Sequence, residues 1–420
     1  MEWSPIQCQA LDAVGKWLKG GSNDQQVFRL FGYAGTGKTT LAKHLAESAG
    51  TVLFACFTGK AASVLRSKGC PGASTIHSLI YQPRDDGTYR IDDLRRQLEE
   101  LEAQLYAEAK AEAAPDEPAE NIKAFVEKNA NVQRLKRQIA EEKQKKRKPI
   151  FELKADSPLR DADLLVVDEV SMVDEEMATD LMSFGTKILA LGDPAQLPPV
   201  KGSGYFTDAR PDILLTEIHR QARDNPIIDM ATRVRNGESL RVGEYGTSRV
   251  ITRADANKDL YLSHDQMLVG KNATRRAVNG RFRELLGRNS IPTPLAGDKL
   301  ICLRNNHDLG LLNGTLWNCK AASPPFSKRI SLTVEPFDGA GATQELVAHE
   351  DFFLGGEPSF YEMRDAESFD YGYAITTHKA QGSQWDNVLI LDESACFRDE
   401  AERWLYTALT RAAQRVTVVI

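Results

Sequence analysis

Parallel β-sheets with crossover helices are the architecture written into this 420-residue chain, which reads as an α/β protein. Three features carry that reading. A strand–loop–helix–strand order stands near the amino terminus, and fully apolar four-residue runs return farther along, as strands covered on both faces require. Between 297 and about 353 the texture changes to short β-prone runs separated by Gly, Asn and Pro turns, the pattern of a small antiparallel barrel inserted in the α/β framework.

In chain order, Val27 to Phe31 is a short apolar strand, Thr39 to Ala49 a helix stopped by Gly50, and Thr51 to Phe57 a second strand. Tyr81 to Arg90 carries an Asp86-Gly87 turn between β-prone flanks, which predicts a hairpin. Ile91, Leu94, Leu98, Leu101 and Leu105 then step by three and four, the spacing of a coiled-coil seam. Pro115 and Pro118 break that helix, and a second amphipathic stretch follows with Ile122, Phe125, Val126, Val132, Leu135 and Ile139. At 1.5 Å per residue the two helices would each run roughly 35–40 Å and fold back as an antiparallel hairpin. Its basic end, Lys143 to Lys148, suits either a solvated stalk or an arm for DNA or a protein partner. Leu164 to Val167 and Ile188 to Leu191 are the two apolar strands, and the last strand runs from Arg415 to Ile420. The barrel strands are Leu300 to Leu303, Thr315 to Trp317, Ile330 to Val334 and Glu345 to Val347.

Composition sets wide limits. The length fits two to four domains. Hydrophobic residues at 42% and charged residues at 27% are ordinary for a soluble globular chain. No apolar run reaches the ~18–20 residues of a membrane span, and Met1-Glu2-Trp3-Ser4 opens no signal peptide. The six cysteines (Cys8, Cys56, Cys70, Cys302, Cys319, Cys396) form no C-x-x-C pair, which argues against structural zinc or a disulfide framework and for the cytoplasm. Cys302 and Cys319 fall on neighbouring predicted strands and read as buried free thiols. A net charge of −6 neither marks nor excludes a nucleic-acid binder, because binding needs only a local cationic groove.

The chemistry begins at Gly32-Tyr-Ala-Gly-Thr-Gly-Lys-Thr39, a P-loop between a strand and a helix. Gly35 and Gly37 let backbone N–H groups wrap phosphates, with Thr36 and Thr40 in the same turn. Lys38 brings a point charge to the outer phosphates, the Thr39 hydroxyl ligates Mg²⁺, and the helix start adds its positive dipole end. Asp168-Glu169, after a buried strand, supplies the second half: Asp168 for Mg²⁺ and Glu169 to polarise an attacking water. Such a site takes ATP and hydrolyses it. Leu191 to Pro199 places Gln196 at a strand exit, where it can feel a γ-phosphate. Leu215 to Arg220 and Tyr406 to Arg411 each end in an arginine suited to clamp the transferred phosphoryl group.

Together the blocks GYAGTGKTT, FTGKAASVL, STIHSLI, VVDEVSM, LGDPAQLPPV, LTEIHRQ, TTHKAQGS and YTALTRA, spanning 32 to 412, resemble the superfamily 1B helicases of the RecD-like, Dda-like group of bacteria and phages. The resemblance implies two RecA-like lobes with ATP in the cleft between them. Their boundaries read 1–80 with 156–204 for the first lobe and 205–296 with 368–420 for the second. A β-hairpin pin and helical arm are inserted at 81–155, and an SH3-like barrel at 297–367. It implies that Gln7, with Gln9 as rival, reads adenine through its amide. Thr58, Lys60, Thr75, His77, Thr377 and His378 fall where the family contacts the DNA strand, and Gln381, Gly382 and Ser383 where it links the ATP and DNA sites. Gly382 is accordingly also counted with the ATP site. The long arm departs from the compact members.

The activity so implied is ATP-dependent travel along single-stranded DNA, 5′→3′, with separation of the duplex at a single-strand/duplex fork. The protein would act as a monomer, in the host cytoplasm if phage-encoded, with Mg²⁺ as cofactor, ATP as substrate and no membrane partner. An ATP-controlled DNA-holding protein and a small-molecule kinase are the rival classes. DNA-dependent, length-dependent turnover separates all three. Trp317, Phe360, Tyr361 and Trp385 suit either base stacking or core packing.

Overall fold

The P-loop strand runs Val27–Gly32 and lies inside a six-stranded sheet in which every pairing is parallel. Its order is Ser74–Thr75, Val52–Cys56, Leu164–Asp168, Lys187–Gly192, Val27–Gly32 and Ile213–Leu215. The computed structural model describes residues 3–20, 25–47, 49–83, 88–112, 118–145, 151–199, 204–217, 224–306, 308–337, 339, 341–356, 358, 362–363 and 365–420. Two units divide the chain, residues 1–79 with 157–420, and residues 80–156.

Leu164, Leu165, Val166 and Val167 are each at most 1% exposed, which explains their unbroken apolar run, and such burial stabilises by about 1.5–3 kcal/mol per side chain. Helices Pro5–Leu18 and Lys38–Ala46 cover one side through Ala10, Val14, Trp17, Leu41 and Leu45, which share a core with Phe28, Leu30 and Leu189. The first helix is fixed at its start by a capping box: the Ser4 side chain accepts from the Gln7 backbone while the Gln7 side chain accepts from the Ser4 backbone. The second helix ends at Ala46, short of Gly50.

One boundary moves. The second lobe was expected to begin at 205, yet Ile213–Leu215 pairs with Val27–Gly32 and extends the first sheet. The free edge of the P-loop strand takes up this apolar run, and Phe206 beside it is fully buried.

The second six-stranded sheet runs Ala374–Thr376, Gln266–Val269, Trp385–Leu391, Ala412–Val419, Ser248–Ile251 and Gly243–Tyr245, parallel except for the last pair. Between its strands in sequence, Lys299–Cys302, Leu316–Ala322, Arg329–Pro336, Gln344–His349 and Phe369–Tyr371 form a five-stranded antiparallel sheet. A bridge between Ala348 and Glu367 links its two outer edges. Phe369–Tyr371 pairs with Lys299–Cys302 and so belongs to this sheet, past the expected limit at 367. Trp317 is a core residue here, 4% exposed and edge-on to Phe369, which answers for it the choice between stacking and packing. Phe360 and Tyr361 lie outside the described residues. All six cysteines are free, Cys302 and Cys319 buried.

In the second lobe the Glu393 carboxylate accepts from the backbone N–H groups of Gly270 and Lys271 (2.7 and 3.0 Å) and from the Thr274 hydroxyl (2.7 Å), holding the start of helix Asn272–Leu285. Burial pushes this carboxyl up, but those hydrogen bonds outweigh it and hold it below the usual carboxylate range. A depressed folded-state pKa adds stability that is complete above the unfolded value and is lost as pH falls through the folded one. Glu393→Gln is therefore expected to cost about 1–3 kcal/mol at neutral pH. In urea titrations the gap from wild type should narrow as pH falls through the depressed folded-state pKa of Glu393, because both side chains are then neutral. A gap independent of pH would show that shape, not charge, matters there.

The unit 80–156 departs from expectation twice. The Asp86-Gly87 turn lies outside the described residues, but its second flank is helical, within Thr88–Glu112. Tyr81–Pro83 pairs instead with Phe151–Leu153, so the ribbon joins the two ends of the arm. The seam that follows propagates one helix back through Thr88, because extending a helix costs less than starting one. The second expected helix is two, Ala119–Lys128 and Ala130–Lys145. Asn129 divides them: its backbone is extended and its side chain accepts from the N–H groups of Asn131 and Val132, capping the later helix. Val132, Leu135 and Ile139 are buried as expected, whereas Phe125 is 59% exposed. Residues 146–148 of the basic run lie outside the described residues. No helix among the described residues is long and apolar enough to cross a membrane.

Candidate active site

The loops leaving the carboxyl ends of the first sheet converge on one edge, where ligands of open α/β sheets bind. After Val27–Gly32 the chain turns through Gly35 (φ 78°) and Gly37 (φ 79°), left-handed conformations that glycine adopts without strain, and enters the helix at Lys38. Lys38 Nζ donates to the carbonyls of Gly32 (2.6 Å) and Tyr33 (3.0 Å), so the ammonium sits within the loop's own curve. Because Lys187–Gly192 lies between the P-loop strand and Leu164–Asp168, the Gln196 loop comes down between phosphate cradle and acidic pair.

Thr39 Oγ1 donates to Asp168 Oδ2 at 3.0 Å. Glu169 has φ 56°, a left-handed conformation uncommon for a residue with a side chain and frequent at functional sites. Burial pushes its carboxyl pKa up, the Arg411 guanidinium opposes that shift, and Asp168 adds to it. Gln196 is 8% exposed and its Oε1 has no hydrogen-bond partner.

Lys38, Thr39, Asp168, Glu169 and Gln196 line one cavity of about 220 Å³, and its opposite wall is lobe two: Gly382, Ser383, Thr410 and Arg411. Arg411 is 5% exposed, with its guanidinium donating to the carbonyls of Thr407 and Ser383 and to the Thr410 hydroxyl. A Cβ on Gly382 (φ 73°) would come within 2.9 Å of the Ala61 Cβ and 3.0 Å of Thr58 Oγ1, so this glycine lets the lobes touch. A second cavity follows the P-loop along Gly35 to Thr40 and adds Lys43 and Lys68, two cations that pattern reading missed. The oxygens of Thr39 and Asp168 are the hard donors Mg²⁺ takes, and with the unpartnered Gln196 oxygen nearby the residues present fit a Mg²⁺–nucleotide.

Other expected residues fall unevenly. Gln7 is buried and its Nε2 donates to the Thr36 carbonyl, tying the first helix to the P-loop, whereas Gln9 is exposed. Arg220 lies outside the described residues. Thr58 caps the helix Gly59–Ser67 through the Ala61 N–H, and Lys60 and His77 are half-buried. Thr75 is 4% exposed with its hydroxyl engaged by Ser78. Thr377 is fully buried and its hydroxyl faces the Val269 carbonyl. The side-chain hydroxyls of Thr75 and Thr377 are thus engaged within the fold. His378 is half-buried, its ring centroid 5.6 Å from that of Phe397.

Sequence reading also missed the polar contacts across the cleft. The Tyr406 hydroxyl accepts from the Ala34 N–H (3.0 Å) and donates to Asp193 Oδ2 (2.7 Å), while the Arg235 guanidinium lies 3.6 Å from the centre of the Tyr33 ring. Tyr406 stood inside a quoted motif, but only its neighbours in space disclose what it touches.

Tandem parallel sheets, with a P-loop and acidic pair in one and an arginine of the other closing the same cavity, define a two-lobed P-loop protein with a nucleoside-triphosphate type of site. A model of the AAA domain matches residues 18–256, over half of the chain, and a model of the UvrD-like helicase C-terminal domain matches 371–419. The chain belongs to the AAA-domain family. It is 29% identical over 279 residues to the ATP-dependent RecD2 DNA helicase of Deinococcus radiodurans, covering 60% of this chain and 36% of that one. It is 27% identical over 289 residues to the conjugal transfer protein TraA of Rhizobium radiobacter (60% and 24% covered). Against the RecBCD enzyme subunit RecD of Mycolicibacterium smegmatis the identity is 26% over 288 residues (61% and 50%). The match thus spans only about a quarter to a half of the length of these relatives. A solved structure concerned with unwinding at forked dsDNA by two coordinating Pif1 helicases shares the fold, with a TM-score of 0.51, 19% identity and coverage of 99% of this chain and 92% of that one.

Proposed function

We propose that this protein is an ATP-dependent DNA helicase that travels 5′→3′ on single-stranded DNA and opens the duplex ahead of it. The observation that carries the reading is the shared cavity, where Lys38, Thr39, Asp168, Glu169 and Gln196 face Arg411 of the other lobe. A triphosphate held by the P-loop meets Arg411 differently in open and closed clefts. That differential contact is what lets a ligand bias closure.

In this scheme the P-loop amides and Lys38 hold the phosphates, and Gln7 orients the adenine side. Thr39 and Asp168 hold Mg²⁺, which when bound supplies charge neutralisation at the phosphate oxygens. Glu169 orients the attacking water, Gln196 reports the γ-phosphate, and Arg411, with Arg220 as candidate second finger, stabilises charge on the transferred group. Thr58, Lys60, His77 and His378 stand at or just beyond the carboxyl ends of strands, where each lobe can grip the strand's backbone. Thr75 and Thr377 would act there through main-chain groups only. The antiparallel sheet at 299–371 is proposed as the SH3-like element and the unit 80–156 as the element nearest the fork.

The test is unwinding of forked DNA carrying a single 5′ or 3′ tail, together with ATP turnover on strands of increasing length. Opening of the 5′-tailed substrate alone, with turnover rising with strand length, is expected. Turnover indifferent to DNA would refute the motor, and opening from the 3′ tail would reverse the polarity.

A further inference from the structure

Gln196 sits in the middle of a short loop that lobe two grips on both sides. On its amino side, the Tyr406 hydroxyl donates to Asp193 Oδ2 at 2.7 Å. On its carboxyl side, Thr407 Oγ1 accepts from the Leu197 N–H at 2.9 Å, and Gln381 Nε2 donates to the Leu197 carbonyl at 2.9 Å. Tyr406 and Thr407 are 2% and 0% exposed, so no water competes for these bonds. Adjacent helix positions diverge by about 100°, and both reach the loop only because it wraps around their turn of Ala401–Leu409. The same Tyr406 oxygen accepts from the Ala34 N–H of the P-loop at 3.0 Å. One lobe-two hydroxyl therefore touches both the phosphate loop and the loop that carries Gln196. Within the loop, the Asp193 carboxylate accepts from the Ala195 N–H and the Asp193 carbonyl from the Gln196 N–H.

We propose that Tyr406 and Thr407 are positioning residues that set Gln196 in the cleft and make its placement depend on where lobe two stands. Neither side chain touches the reacting phosphate. They hold the loop that does, and they travel with Arg411, which follows on the same segment. When the lobes part, the bonds to Asp193 and Leu197 are strained as Arg411 moves away, so Gln196 loses its placement together with the loss of the arginine. Turnover is thereby confined to the closed cleft. The inference rests on the cleft being the site of ATP hydrolysis.

The experiment compares Thr407→Val, which deletes the acceptor, with Thr407→Ser, which keeps it, each in the full chain and each also in a Gln196→Ala background. Steady-state ATP turnover is measured with saturating single-stranded DNA, with thermal midpoints recorded for every variant. Thr407→Val should lower kcat roughly 10-fold with KM for ATP changed less than about 3-fold, Thr407→Ser should retain most of the rate, and in the Gln196→Ala background the Thr407→Val loss should shrink below about 2-fold. Tyr406→Phe, which keeps the ring, should show the same loss of additivity and serves if Thr407→Val fails to fold. An equal loss in both backgrounds would mean that Thr407 and Tyr406 act only through general stability, and the proposal falls. A fully active Thr407→Val does the same. A wild-type protein with no DNA-stimulated turnover would instead overturn the helicase reading, and this inference with it.

Discussion

Lys38→Ala should reduce DNA-stimulated ATP turnover by at least about 10²–10³-fold, the loss typical of removing one preorganised group from a charge-stabilising site, while single-stranded DNA binding stays near wild type. The ammonium lies inside the P-loop, bonded to the Gly32 and Tyr33 carbonyls, at the head of a helix whose dipole adds to its field. Truncation leaves two carbonyls without that donor but no cavity in the core, because the side chain is part-buried at the cleft. The substitution therefore strikes phosphate binding and transition-state charge far more than folding. DNA affinity should survive, since the proposed grip residues Thr58, Lys60, His77 and His378 stand on other strand ends. The checks are steady-state turnover and fluorescence-anisotropy binding to a labelled oligonucleotide. Turnover within about 3-fold of wild type would remove the P-loop from the mechanism.

The same residues show what a linear reading can reach. The P-loop and the acidic pair were legible because their chemistry is local: spacing within eight residues dictates the turn, and a strand of four apolar residues dictates where Asp168 emerges. The parallel sheets were legible for the same reason, since double-sided burial leaves an unbroken apolar run. Contacts between lobes were not. Tyr406 and Asp193 are 213 residues apart, and each reads alone as an ordinary polar residue. Nor were the internal bonds of Thr75 and Thr377 legible, because a threonine in a motif can bond neighbours in the fold as well as a ligand. The hairpin at Asp86-Gly87 failed in part because a turn signal competes with the helix behind it: the seam from Ile91 onward reaches back to Thr88. The break at Asn129 was visible only as a weak helix former amid a strong pattern, and it required the side-chain cap to explain it.

Arg411 allows charge and geometry to be separated. Arg411→Ala should lower DNA-stimulated kcat by about 10³-fold or more, within the range measured for arginine fingers. Arg411→Lys should recover only a minor part of that loss. The guanidinium is almost fully enclosed and its three nitrogens already have partners in lobe two: Nε at the Thr407 carbonyl, Nη1 at the Ser383 carbonyl and Nη2 at the Thr410 hydroxyl. Those bonds orient a planar fork toward the cavity it shares with Glu169 and Lys38. A lysine restores the positive charge but not the fork, and its flexible ammonium cannot satisfy the same three acceptors while facing the cleft. A rate set by charge alone would bring Arg411→Lys close to wild type, whereas a rate set by oriented donors would leave it near Arg411→Ala. The second pattern is expected, with ATP affinity reduced much less than kcat, because the contact is made in full only when the lobes close. Should Arg411→Ala keep wild-type turnover, the two walls of the cavity would be independent, and nucleotide occupancy could not drive the lobes through this residue.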